Sequence, residues 1–126
     1  METGYKKLTI YKKAHELGLA IHKFTLTLPQ FELYEEGSQI RRSSESVSSN
    51  IVEGYSLRYY KNAYIRYLYL AYASAQETIE HLDYLFETGS LKDNTVYKDL
   101  RERYFGLCGM IFNFIQSVQK QHKSDR

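Results

Sequence analysis

QIRRSSESVSSNIVEGY, residues 39–55, is the stretch whose reading decides the fold, because its composition and its periodicity disagree. Five serines and an asparagine between Ser43 and Asn50 spell a loop on propensity alone, since short polar side chains compete for backbone hydrogen bonds. The spacing spells a helix. Ile40, Ser44, Val47, Ile51 and Tyr55 recur at steps of four and three residues, which is one face of a helix with about 3.6 residues per turn. Gln39, Ser43, Ser46, Asn50 and Glu53 form a second stripe beside it. A helix with side chains this small on one side admits a neighbour at close range.

Outward from this stretch, three further segments carry the helical period more cleanly. Ile10, Ala14, Leu17, Ile21, Phe24 and Leu28 alternate at four and three, and Pro29 closes that helix. Ile65, Leu68, Tyr72, Ala75, Ile79, Leu82 and Phe86 repeat the pattern, with Gly89 at the C-cap. Leu100, Tyr104, Leu107, Ile111, Phe114 and Val118 repeat it again, with Asp93 or Asn94 able to cap the start. The expected helices are therefore about 8–28, 38–55, 62–88 and 95–120. The links, Gln30 to Glu36, Ser56 to Lys61 and Gly89 to Asn94, are short. Long amphipathic helices on short links favour antiparallel neighbours, hence an all-α, up-down-up-down four-helix bundle.

Composition sets the outer bounds. At 126 residues the chain reads as a single domain, 1–126, large enough to bury roughly two thirds of its unfolded surface. One proline and seven glycines speak against a β-rich or disordered chain. There is no apolar run long enough for a membrane span, and the opening METGYKKLTIYKK lacks the apolar segment of an export signal, so the expected location is cytoplasmic. The single cysteine, Cys108, falls inside the apolar pattern of the last helix and reads as a small buried thiol rather than a nucleophile.

Asn50 and Glu53 need a reason, because a carboxylate beside a core stripe is costly unless paired. Glu53 is expected to meet an arginine, a tyrosine hydroxyl or backbone donors near Gly54. With Gln39, Arg41 and Arg42 these residues read as structural polar groups, one arginine pairing with Glu45 and the other bridging helices or subunits. A di-iron bundle would need two Glu-x-x-His motifs, and none is present. Glu77 and His81 are four apart and His15 and His22 seven apart, the latter pair read as partly buried histidines flanking the first seam. No metal or cofactor is expected.

Charge is distributed unevenly. In an up-down bundle, residues 1–16, 51–68 and 113–126 share one end, and there ten basic residues face four acidic ones, although the whole chain carries only +2. Seven of the thirteen tyrosines lie in the same segments. Basic groups neutralise phosphates and aromatic faces stack bases, so the candidate nucleic-acid contacts are Lys6, Lys7, Lys12, Lys13, Arg58, Tyr59, Tyr60, Lys61 and Arg66. Tyrosine also serves subunit interfaces, and Tyr60, Tyr64 and Tyr67 form an i, i+4, i+7 stripe that reads equally as an oligomer contact.

Gln39-Ile40-Arg41-Arg42, Ser46-Val47, Asn50-Ile51-Val52-Glu53-Gly54 and then Ala71, Ala73-Ser74 and Glu77 resemble the four-helix-bundle family encoded by intervening sequences of bacterial 23S ribosomal RNA genes. The resemblance runs from Tyr11-Lys12-Lys13-Ala14 through the Leu82 region. Ser43 and Ser44 stand where that family usually has alanine, and Ala73 where it often has glycine. The resemblance implies an antiparallel bundle assembling into a cyclic homo-oligomer, commonly a pentamer, without established enzymatic activity. A more distantly similar bundle, the accessory variability protein of diversity-generating retroelements, binds nucleic acid and a reverse transcriptase. The expected function is therefore a non-catalytic homo-oligomer that binds RNA or DNA through its basic, tyrosine-rich end as an accessory to a nucleic-acid enzyme, with a protein-interaction scaffold as the alternative.

Overall fold

The computed structural model describes residues 3–121. After a 3-10 turn at Gly4–Lys7 come α1 (Thr9–Thr25), a second 3-10 turn at Gln30–Leu33, α2 (Glu36–Ser56), α3 (Lys61–Glu87) and α4 (Asn94–Gln121). Cross-helix partners run in opposite order along each pair. Gly18 lies beside Ser44 and Thr25 meets Arg41; Ser43 meets Thr78 and Ser46 meets Ser74; Tyr64 packs on Phe114 and Asp83 meets Arg101. Neighbouring helices are antiparallel, as the short links require.

The serine-rich stretch is helical because its hydroxyls bond backward along the helix instead of competing with it. Ser43 donates to the Ile40 carbonyl, Ser44 to Arg41, Ser48 to Glu45 and Ser56 to Val52, at 2.8 to 3.2 Å. Ser43 also shares a 2.8 Å hydrogen bond with Thr78, and Ser74 donates to Ser46 at 2.9 Å. These contacts join α2 to α3 through small hydroxyl side chains, two of which, Ser43 and Thr78, also bond carbonyls of their own helices. The neighbour admitted at close range is thus α3. At Gly54, a Cβ would fall 3.2 Å from Tyr67 Cβ and 3.3 Å from Tyr64 Cδ1.

The apolar seams meet in one core that includes Ile21, Ile40, Val47, Ile51, Leu68, Leu82, Leu107, Ile111 and Ile115. Asp93 caps α4, its Oδ1 accepting from the backbone of Thr95 at 3.0 Å and Val96 at 3.2 Å. Gly89 adopts φ 87°, the left-handed conformation that ends α3. The first helix stops at Thr25, short of the expected Leu28. The hydroxyls of Thr25 and Thr27 bond the carbonyls of His22 and Phe24 and turn the chain before Pro29 is reached. The second helix starts at Glu36, inside the segment expected to be a link, because Gln30–Leu33 makes the turn in 3-10 form. Among the described residues, no helix is long and apolar enough to cross a membrane.

Candidate nucleic-acid interface

The end predicted to be basic is organised around the turn between α2 and α3. The turn is closed by backbone bonds from Leu57 to Gly54, Arg58 to Tyr55 and Tyr60 to Leu57. They fix Arg58 so that its guanidinium carbon lies 4.1 Å from the Tyr55 ring centroid and 4.6 Å from that of Tyr59. Nη1 donates to the Tyr55 carbonyl at 3.1 Å and Nη2 to the Tyr59 hydroxyl at 3.2 Å. An arginine held between two rings is pre-organised, so little side-chain entropy remains to be lost when it meets an anion. Tyr59 is 64% exposed and Tyr60 45%, so both offer ring area to solvent.

Lys6, Lys7, Lys12, Lys13 and Arg66 are exposed, and Lys61 is half-buried. They do not form one patch. Lys6 and Lys12 line a groove on the outer side of α1 together with Tyr11, whereas Lys13, one step along the helix, faces Arg103 and Met110 in the cleft between α1 and α4. Lys123 and Arg126, counted in the basic end, lie outside the described residues.

The tyrosine stripe does not survive as a surface. Tyr64 is 5% exposed and belongs to the core, its ring edge-on to Phe114 at 6.1 Å. Burial, aided by nearby Tyr55 and opposed by the Arg58 charge, pushes its hydroxyl up to about 12. Tyr67 is half-buried against Gly54. Tyr60 stays at the surface while Tyr64 and Tyr67 turn toward α2 and the core, and spacing alone does not say which way a stripe points.

The structural polar residues divide. Arg41 reaches back across the link, donating to the Leu33 carbonyl at 2.7 Å and to Thr25 Oγ1 at 3.1 Å, so it is the bridging arginine and Arg42 is exposed. Asn50 donates to the Ser46 carbonyl and hydroxyl within its own helix. Gln39 and Glu53 are exposed. Glu53, expected to meet a partner beside the core stripe, is instead in water, where a carboxylate needs none. His15 and His22 are likewise exposed rather than partly buried. His15 stacks on Tyr11, at 5.6 Å and 19°.

Several groups escaped sequence reasoning. Glu32 is buried in the second 3-10 turn, its carboxylate accepting from Ser90 at 2.5 Å and from the Glu36 backbone at 3.3 Å. His81 joins α2 to α3, with Nδ1 2.8 Å from Glu36 and Nε2 3.3 Å from Glu77. Asp83 accepts from Tyr97 at 2.7 Å and Arg101 at 2.8 Å. Burial opposes its ionisation, but those two hydrogen bonds outweigh it and hold the carboxyl below its usual range. The i,i+4 spacing of Glu77 and His81 was visible in the sequence, but the pairings of Glu32 with Ser90, His81 with Glu36, and Asp83 with Tyr97 and Arg101 join different elements and have no short-range signal. Among the described residues no cluster of three or more histidine, cysteine or acidic side chains is placed to hold a metal. Cys108 is buried, and that burial pushes its thiol up to about 11, far from a thiolate at neutral pH.

Along α4, Phe105, Gly109 and Phe112 repeat at steps of four and three, outside its core stripe. With Tyr72 and Gln76 of α3 they line a groove of about 370 Å3, and both phenylalanines are exposed. This second apolar stripe was legible in the sequence, but its exposure was not.

A family model described as 23S rRNA-intervening sequence protein matches residues 6–113 of the chain. Among solved structures, a protein of unknown function from the S23 ribosomal protein family of Bacteroides thetaiotaomicron VPI-5482 superposes with a TM-score of 0.74 at 22% identity, covering 85% of this chain and 95% of that one. No curated protein matches the chain. At that level of identity the structural likeness speaks for the fold alone.

Proposed function

The chain belongs to the 23S rRNA-intervening sequence protein family, and from that premise we propose that it is a non-catalytic, homo-oligomeric bundle that binds nucleic acid through its basic end. The observation carrying this reading is Arg58, clamped between the Tyr55 and Tyr59 rings with Tyr60 and Lys61 beside it. Cationic groups supply sequence-independent attraction to phosphates, and exposed rings supply stacking area. A net charge of +2 is modest for such a role. Assembly compensates, because identical basic ends placed side by side in a cyclic ring, a pentamer by family resemblance, add their fields.

Contact surface for that assembly is available on the α3–α4 face, where Phe105 and Phe112 are exposed around Gly109. Exposed aromatic groups clustered in this way mark association surfaces. The same face supports a second reading, in which the protein is an interaction scaffold that docks another protein, such as a nucleic-acid enzyme, and no strand at all.

Fluorescence anisotropy with labelled mixed-sequence single-stranded RNA and DNA tests the proposal. Binding is expected to be modest and strongly salt-dependent. Replacing Arg58, Lys61 and Arg66 with glutamine should weaken it across all sequences and flatten the dependence of log affinity on log salt, by something approaching one phosphate contact per lost charge. Absence of binding by the unaltered protein at low salt would leave the scaffold reading.

A further inference from the structure

The groove on the outer side of α1 has more structure than a charged helix face requires. It measures about 460 Å3 and is lined by Lys6, Tyr11, Lys12, His15, Glu16 and Leu19, within the roughly 300–1,000 Å3 range of small-molecule sites. Tyr11, His15 and Leu19 follow at i, i+4 and i+8, so they share one face of the helix. Tyr5, from the preceding 3-10 turn, meets the Tyr11 ring edge-on at 4.9 Å and 73°. Tyr11 in turn stacks on the His15 imidazole at 5.6 Å and 19°. The result is a short aromatic ladder, braced at its inner end and ending in an exposed ring. One turn further along, Leu19 is 57% exposed, a large aliphatic side chain left in water beside a lysine-rich segment.

We propose that this groove is a subsite for one unpaired nucleotide of a bound single strand, its base lying on His15 beside Leu19 and its phosphate between Lys6 and Lys12. The inference rests on the nucleic-acid reading given above. A base needs a flat partner for one face and tolerates apolar contact elsewhere, which the imidazole and Leu19 supply. A phosphate needs converging cations, which the 3-10 turn and α1 bring to the same groove. Glu16 lines the groove too, but Arg103 donates to it at 2.8 Å and offsets its charge, so the groove stays net positive. The Arg58 clamp is contributed by the next helix pair at the same end of the bundle, so a strand that reaches both would contact α1 and the α2–α3 turn together.

The test uses the full chain, a fluorescein-labelled ten-nucleotide oligo(A) RNA and a salt series. His15→Ala removes the outer ring from an exposed position and should leave the melting curve unchanged while weakening RNA binding at least about five-fold, the lower bound for losing one stacked base. His15→Phe should restore binding, and because stacking carries no counterion release, the salt slope of His15→Ala should match that of the unaltered protein. Lys6→Gln with Lys12→Gln should instead lower the slope. Equal affinity for His15→Ala and the unaltered protein, or no rescue by phenylalanine, overturns the subsite. If that equality is found while the Arg58, Lys61 and Arg66 triple variant loses binding, only the subsite falls. If the unaltered protein does not bind the RNA at low salt, the nucleic-acid reading falls and takes the subsite with it.

Discussion

Gly37→Ala should destabilise the fold even though alanine is the better helix former. Gly37 sits in the first turn of α2, and a Cβ there would lie 2.3 Å from the Glu32 carbonyl oxygen, 3.1 Å from its carbon and 3.3 Å from Arg41 Nη1. A comfortable carbon-to-oxygen approach is roughly 3.3 Å, so about 1 Å must open between α2 and the 3-10 turn. The obstacle is backbone, and it is held from several directions. Glu32 bonds through its N–H to the Pro29 carbonyl at 2.9 Å and through its buried side chain to Ser90, while Leu33 is tied to Arg41 at 2.7 Å. Overpacking of this kind costs about 1–3 kcal/mol, and a weakened hydrogen bond to the Arg41 guanidinium adds up to about 1.5–3 kcal/mol. Alanine's helix preference returns about 1 kcal/mol. The expected balance is a loss of about 2 kcal/mol, or a fall in Tm of about 8 °C. Gly106→Ala is the control, since nothing lies within 4 Å of a Cβ there, and it should gain about 0.5–1 kcal/mol. Thermal melts followed by far-ultraviolet circular dichroism, at matched protein concentration, compare the three proteins. A Gly37→Ala melt at or above that of the unaltered protein would refute the close approach of the 3-10 turn to α2.

Tyr104 is fully buried, and among the described residues no hydrogen bond of ordinary geometry reaches its hydroxyl; Ser44, the polar side chain beside it, gives its own proton to the Arg41 carbonyl and offers Tyr104 at most a poorly aligned acceptor. Tyr104→Phe should therefore hold or raise stability, by up to about 1 kcal/mol in urea titrations, and a clear loss would reveal a bond to that oxygen. Ser44→Ala should be tolerated and Ser44→Leu should cost about 1–3 kcal/mol, because Ser44 is buried between α2 and its neighbours; equal melting temperatures for the two would place the residue in solvent. Asp83 has a lowered pKa in the fold, so its contribution is present above the carboxylate's unfolded pKa and is lost as pH falls through the folded one. Acid titration of stability should show this loss below about pH 4, and Asp83→Asn should remove that part of the pH dependence. Light scattering at micromolar concentration should report a multiple of 14.9 kDa, and Phe112→Asp on the α3–α4 face should return the monomer mass if that face carries the assembly.

Helix number and helix type were legible from residue spacing, because apolar recurrence at three and four residues has one common physical cause, burial of a helix face, and antiparallel order from the shortness of the links. The same spacing carried the serine-rich stretch against its loop-like composition, since Ile40, Val47 and Ile51 had to be buried together and the hydroxyls found partners one turn back. Rotation was not legible. Whether Tyr64 faced the core or solvent and whether Glu53 was buried or exposed depend on a few tens of degrees about a helix axis. That angle is set by how closely partner helices approach, at Gly54 against Tyr64 and Tyr67 and at Gly37 against Glu32. The long-range pairs, Arg41 with Leu33 and Thr25, Asp83 with Tyr97 and Arg101, and His81 with Glu36, likewise exist only once the register between elements is fixed. Local periodicity thus determined which residues are helical and apolar, while the tertiary structure decided which polar groups meet, because hydrogen-bond partners are chosen by distance in space and not along the chain.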